Sequence, residues 1–126
     1  MTKLFDTTTN ALARSLDFHL LRHSVISDNI ANAETPGFKA RRVAFEEALD
    51  SAVQAHENTG SRNLASVGAE VYEDPDSEMG ADMNSVDMDR EMSKLTKNEI
   101  QYNAAIQAVT KKFSELKYVI TEGGSR

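Results

Sequence analysis

The 126-residue sequence contains no cysteine and no tryptophan, and only 6% of it is aromatic. Missing thiols exclude disulfides, thiolate catalysis and cysteine-ligated metal, and they leave the redox compartment open. Scarce aromatics predict a thin, aliphatic core. Basic residues are also in deficit: 14 Lys and Arg stand against 20 Asp and Glu, a formal charge of −6. That balance argues against a nucleic-acid partner, because neutralising phosphates takes clustered Lys and Arg. The deficit is local. Residues 46–91 hold thirteen acidic side chains and two basic ones, Arg62 and Arg90, while both ends are nearly balanced. No apolar run reaches the roughly 18 residues of a membrane span. The N-terminus lacks the basic-then-apolar pattern of a cleaved secretory signal, which taken alone reads as cytosolic.

What is present is one domain's length of chain, 40% apolar and 27% charged, within the range of folded soluble proteins. The strongest pattern lies near the C-terminus. Met88, Met92, Leu95, Glu99, Tyr102, Ile106, Val109, Phe113, Leu116 and Ile120 alternate spacings of four and three, and only Glu99 breaks the apolar line. This is a heptad seam, and neither Pro nor Gly interrupts residues 81–122. Asn84 reads as the N-cap, Met83 and Met88 as a hydrophobic staple, and Asp87 and Asp89 as favourable charges on the first turn. Gly123-Gly124 reads as the stop.

The N-terminal end repeats the design. Phe5, Thr9, Leu12, Leu16, His19, His23, Ile26 and Ile30 keep the same spacing, and Leu20, Leu21 and Val25 widen the apolar face. Asp6 or Asn10 is the expected cap, and Thr35-Pro36-Gly37 the end, giving a helix over about 7–33. In the middle, residues 40–56 read as a short helix presenting Val43, Phe45, Leu49 and Val53. Residues 57–84 read as a polar, acidic loop, with a weak strand-like stretch from Val67 to Tyr72 that leaves a small hairpin open.

The expected fold is therefore mainly α: an elongated, coiled-coil-like antiparallel pair of N- and C-terminal helices joined by a largely irregular middle. Its parts are 1–35, 36–84 and 85–122, in one elongated subunit. A helix over 85–121 would be roughly 55 Å long, whereas a compact domain of this size has a radius of gyration of about 14 Å. Such a helix does not fit inside a globule. The seams, together with the extra apolar positions Leu20, Leu21, Val25, Ile100 and Val119, ask for further partners.

Candidate chemistry is sparse. His19 and His23 have the spacing of a zinc pair, but Leu20 stands where the zinc-protease pattern needs Glu. Both histidines fall on the seam, where a polar residue sets register. Counted from Asp74, an EF-hand loop would need Gly and Glu where Met79 and Ser85 stand, so the acidic stretch through Glu78, Asp82 and Asp89 reads as a solvated loop. No glycine-rich phosphate loop or nucleophile elbow is present. No enzyme activity, cofactor, metal or small-molecule substrate is expected.

The segment Ser27-Asp28-Asn29-Ile30-Ala31-Asn32-Ala33-Glu34-Thr35-Pro36-Gly37-Phe38-Lys39-Ala40 resembles the N-I-A-N-x-x-T-P-G-aromatic-K signature of bacterial flagellar rod and hook proteins. Asn84, Val86, Asp87, Asp89, Glu91, Met92, Leu95, Asn98 and Tyr102 resemble the C-terminal signature of the same family. Gly80-Ala81-Asp82-Met83 departs from the Asp-Gly-Asn turn expected there. The short length and near absence of a middle domain are most similar to the proximal rod members. The resemblance covers both helical ends. It implies a subunit of the periplasmic rod of the flagellar basal body, exported by the flagellar type III apparatus without a cleaved signal peptide, which supersedes the cytosolic reading. The implied partners are copies of the chain, other rod proteins, the hook–basal-body protein FliE, and export-gate and membrane-ring components. It also implies that the terminal helices pack into a tube that transmits torque and encloses the export channel. Phe45 and Leu49 are similar to the Phe-x-x-x-apolar motif that docks such subunits on the export gate; equally, they form an ordinary helix-packing pair. The alternative from another class is a cytosolic coiled-coil adaptor or chaperone that binds an amphipathic helix, which leaves the turn from Asn29 to Lys39 unexplained.

Overall fold

The structure, a computed structural model, describes residues 7–45 and 68–124. Two helices dominate it. Helix α1 (Thr7–Ala31) ends as its hydrogen bonds tighten: the Asn32 amide is shared between the carbonyls of Asp28 and Asn29 at 3.1 and 3.2 Å, and Ala33 N–H reaches Ile30 at 3.2 Å. Pro36 then blocks continuation. Gly37 turns the chain with φ +76°, a left-handed conformation that disfavours any side chain with a Cβ. Asn10 lies inside the helix rather than at its cap, and Asp6 falls outside the described residues.

Strand β1 (Arg41–Ala44) pairs antiparallel with β2 (Glu70–Glu73), with Arg41 opposite Glu73 and Val43 opposite Val71. The short helix expected from residue 40 is therefore corrected at its beginning. Val43 and Phe45 are both buried and two residues apart, the period of a strand. They pack with Ala69 on Phe18, Leu21 and Val25 of α1. The partner strand lies beyond a long connection, so nothing local in the sequence could favour strand over helix. Leu49, Val53 and Val67 lie outside the described residues.

Helix α2 (Met88–Gly123) starts later than its sequence signals suggest. Its N-cap is Asp87, whose carboxylate accepts from Arg90 N–H at 3.2 Å, and not Asn84. Asp89 and Glu91 in the first turn suit the helix dipole. Gly124 caps the far end in a right-handed conformation, φ −86°, so the stop is not the left-handed kind.

The small core sits between α1 and the hairpin. Phe18 and Phe45 stack with ring centroids 3.7 Å apart, and the Arg22 guanidinium covers the Phe18 ring at 4.6 Å. On its other side α1 runs antiparallel to α2. From the His19–Asn98 contact, α1 continues 12 residues to Thr7 and α2 continues 25 to Gly123. Roughly 20 Å of α2 therefore extends past the described part of α1. Neither helix is long and apolar enough to cross a membrane.

Phe45→Ala should lower unfolding stability by roughly 3 kcal/mol, read from the urea midpoint. Phe113→Ala, at a side chain 49% exposed, should leave the midpoint nearly unchanged. Equal midpoints for the two variants would place the core elsewhere.

Candidate assembly site

The two signature segments fold onto one another. Asn29 is completely buried, and its amide uses every polar atom. Its Nδ2 donates to the Arg41 carbonyl at 2.7 Å and to Glu91 Oε2 at 2.9 Å, while its Oδ1 accepts from Arg41 N–H at 3.0 Å. One side chain thus joins α1, β1 and α2. Only an amide offers two donors and an acceptor in this arrangement.

Asn84 does the same for the turn. Its Nδ2 donates to the carbonyls of Asn32 and Thr35 at 2.8 and 2.7 Å, and its Oδ1 accepts from Val86 N–H at 2.7 Å. Ser85 Oγ accepts from Ala40 N–H at 2.8 Å, and Ser85 N–H donates to the Phe38 carbonyl at 3.0 Å. The departure at residues 80–83 still makes a turn. Gly80 N–H donates to the Asn84 carbonyl, Met83 N–H donates to the Gly80 carbonyl, and Asp82 Oδ1 receives Asn84 N–H. Met83 accepts a left-handed conformation, φ 62°, at a cost of about 1–2 kcal/mol.

Further along α2, Asn98 Nδ2 donates to the His19 carbonyl at 2.9 Å. That bond fixes the amide's orientation, so the His19 Nδ1 that meets Asn98 Oδ1 at 2.9 Å carries the proton. Asn84, Glu91 and Asn98 stand seven residues apart, and all three are buried. Glu91 and Asn98 of this polar line, and not the apolar seam, are the part of α2 most deeply buried within the chain.

A charge network completes the site. Asp74, expected in a solvated loop, is buried. Lys94 Nζ donates to Asp74 Oδ2 at 3.0 Å and to Glu91 Oε1 at 2.8 Å. Arg42 Nη1 and Arg90 Nη2 lie 3.4 and 3.6 Å from the Asp74 carboxylate, and Asp76 N–H donates to it at 3.1 Å. Burial by itself would push this carboxyl up. The hydrogen bonds from Lys94 and Asp76, with the charges of Lys94 and Arg90, outweigh burial and hold it below its ordinary value.

The seam residues distribute unevenly. Leu12, Leu16, His19 and Ile30 of α1 are half-buried, Ile26 is buried and His23 is exposed. On α2, Leu95, Tyr102, Val109 and Leu116 are half-buried, whereas Met88, Met92, Ile106, Phe113 and Ile120 are exposed. In the turn, Asn29 is buried, Ile30, Asn32 and Phe38 are half-buried, and Ala31, Thr35, Pro36, Gly37 and Lys39 are exposed. Lys39 lies 3.6 Å from Glu73. Phe45 is in the core. In the sequence Glu91 reads only as a signature residue and Asp74 only as the start of a rejected calcium loop; neither reads there as a buried charge. The seven-residue recurrence of polar residues beside an apolar seam was the available signal for Glu91 and Asn98; Asp74 carried none. Among the described residues, no three metal-ligating side chains gather in one place.

Asn29→Ala should destabilise the fold by roughly 2–4 kcal/mol, because it leaves a buried carboxylate and backbone groups short of partners. Urea unfolding measures this, and a loss no larger than that of an exposed Asn103→Ala control would refute it. The Asp74 contribution is present above the unfolded-state value of about 4 and is lost as pH falls through its lower folded value. Stability measured from pH 7 downward should therefore fall less steeply in Asp74→Asn, from a lower starting level.

The family described as flagella basal body rod protein matches residues 20–39, which carry Asn29 and the whole turn. The chain is 32% identical over 126 residues to flagellar basal body rod protein FlgB of Bacillus subtilis, an alignment covering 95% of this chain and 98% of that protein. It is 32% identical over 120 residues to FlgB of Aeromonas hydrophila, covering 89% and 91%. With FlgB of Escherichia coli K12 it shares 28% over 123 residues, covering 86% and 89%. With near-complete coverage of relatives at this identity, and with the signature residues forming its buried polar joint, the chain belongs to the FlgB family of flagellar basal body rod proteins.

Proposed function

We propose that the chain is a structural subunit of the proximal rod of the bacterial flagellar basal body. The observation that carries this reading, beside family membership, is the exposed stripe of Met88, Met92, Ile106, Phe113 and Ile120 on α2. A row of large apolar side chains along a helix that outruns the described part of its intrachain partner favours covering by neighbours. Head-to-tail contacts that do not close generate a helical assembly, here a tube that transmits torque and encloses the export channel. The whole chain acts as one elongated subunit, with 1–35 and 85–122 as its assembling ends and 36–84 as the connection. Its role is mechanical and not enzymatic.

The partners in this reading are copies of the chain, other rod proteins, FliE, and the export-gate and membrane-ring components. Export proceeds through the flagellar type III apparatus without a cleaved signal peptide. The absence of cysteine suits a chain that is threaded unfolded and then meets an oxidising compartment. Phe45 is buried against Phe18 once the chain folds. A gate contact through Phe45 and Leu49 therefore belongs to the chain before folding, and burial afterwards releases it. Nothing in the fold favours the cytosolic adaptor.

Ile106 is 38% exposed, so Ile106→Asp should leave the isolated subunit's circular dichroism unchanged. Covered by a neighbour, the same charge would be buried unpaired. Cells carrying the variant should be non-motile, and their detergent-extracted basal bodies should lack the protein. Wild-type motility would remove this face from the assembly.

A further inference from the structure

Two exposed ionisable side chains interrupt the seams of the two helices. Glu99 stands midway between Met92 and Ile106, seven residues from each, and both of these are exposed. His23 stands midway between Leu16 and Ile30, seven residues from each; both are half-buried, and Leu20 beside them is 52% exposed. Neither Glu99 nor His23 forms a hydrogen bond or ion pair with a described residue. Inside the chain the helix register is instead set by His19 with Asn98 and Asn29 with Glu91.

A helix that covers the α2 stripe closes over Glu99 as well. Enclosing a carboxylate without a donor is strongly unfavourable, so the covering helix must be apolar on either side and carry a donor at the level of Glu99. The outer edge of α1 has that composition. Equal spacing means that when His23 meets Glu99, Leu16 and Ile30 fall opposite Met92 and Ile106 in either relative direction. Each triplet advances by roughly 10.5 Å from centre to end. An imidazole has at least one N–H in either protonation state.

Resting on the rod-subunit reading, we infer that α1 of a second copy covers the α2 stripe. Its His23 donates a hydrogen bond to Glu99, and this pair fixes the register between subunits. An apolar helix lacking the donor, or one displaced by a turn, leaves the carboxylate unpaired. The pair thereby discriminates among helices that the apolar stripe alone would accept.

The chain's lack of cysteine makes the test clean. His23→Cys and Glu99→Cys would be expressed together in one cell, and the purified basal bodies oxidised. Disulfide-linked dimers should appear with both variants present and be absent with either one alone. Incorporation of both variants without a cross-link, or equal cross-linking by a single variant, overturns the inference and leaves the rod reading standing. Absence of the wild-type protein from basal bodies overturns the rod reading itself. As a second measurement, His23→Glu should abolish motility, and the exchanged pair His23→Glu with Glu99→His should restore it. A double variant as immotile as the single one removes the proposed pairing.

Discussion

The side-chain amide of Asn29 is the point on which the rest of the chain is hung. It is enclosed completely, and its two donors and its acceptor meet β1 and α2 from within α1. An aspartate there could not donate, and a leucine would strand groups of two elements, β1 and α2. Among the described residues the core proper is too small to define the arrangement of two long helices, since it holds little beyond Phe18, Val25, Val43 and Phe45. Polar geometry supplies what apolar bulk does not. A buried network with every partner present is directional and tolerates only one register.

This produces an inversion of the ordinary amphipathic pair. The α2 line most deeply buried within the chain carries Glu91 and Asn98, while the large apolar residues Met92, Ile106, Phe113 and Ile120 face outward. Apolar contact is cheap and forgiving of register; buried hydrogen bonding is neither. The chain uses the demanding interaction for its own closure and leaves the forgiving one on its surface. The Asp74 carboxylate follows the same logic at the hairpin, gathering cations from β1 and α2 around one enclosed charge.

Much of this was legible in the residues. The four-three periodicity located both helices to within a few positions, because helix periodicity is a local property of the sequence. The start of α2 was misplaced at Asn84 because a capping residue and a buried turn-binding amide look alike until their partners are known. Residues 41–45 were misread for a different reason: Val43 and Phe45 fit a helix or a strand, and the choice was made by β2 and α1. Asp74 looked like one more acid in an acidic stretch, since burial of a charge depends on cations from other elements. The exposed apolar line of α2 was half visible. Its apolar members were named, but which of them the chain covers by itself is decided by the polar line one position away.

The joint made by Asn29 and Asn84 links segments separated by 62 and by about 50 positions, and this bears on timing. A chain that emerges N-terminus first, from a ribosome or from a narrow channel, presents Asn29 while its partner Glu91 is still enclosed. Until residues 84–98 arrive, Asn29 can engage Arg41 alone, and the carbonyls of Asn32 and Thr35 that Asn84 binds are left to water. Partial chains therefore lack the α2 half of the joint, and the register between the two helices becomes fixed only after most of the polypeptide is present. Contacts this distant in sequence slow closure. On the export route proposed above, slowness of that kind is useful.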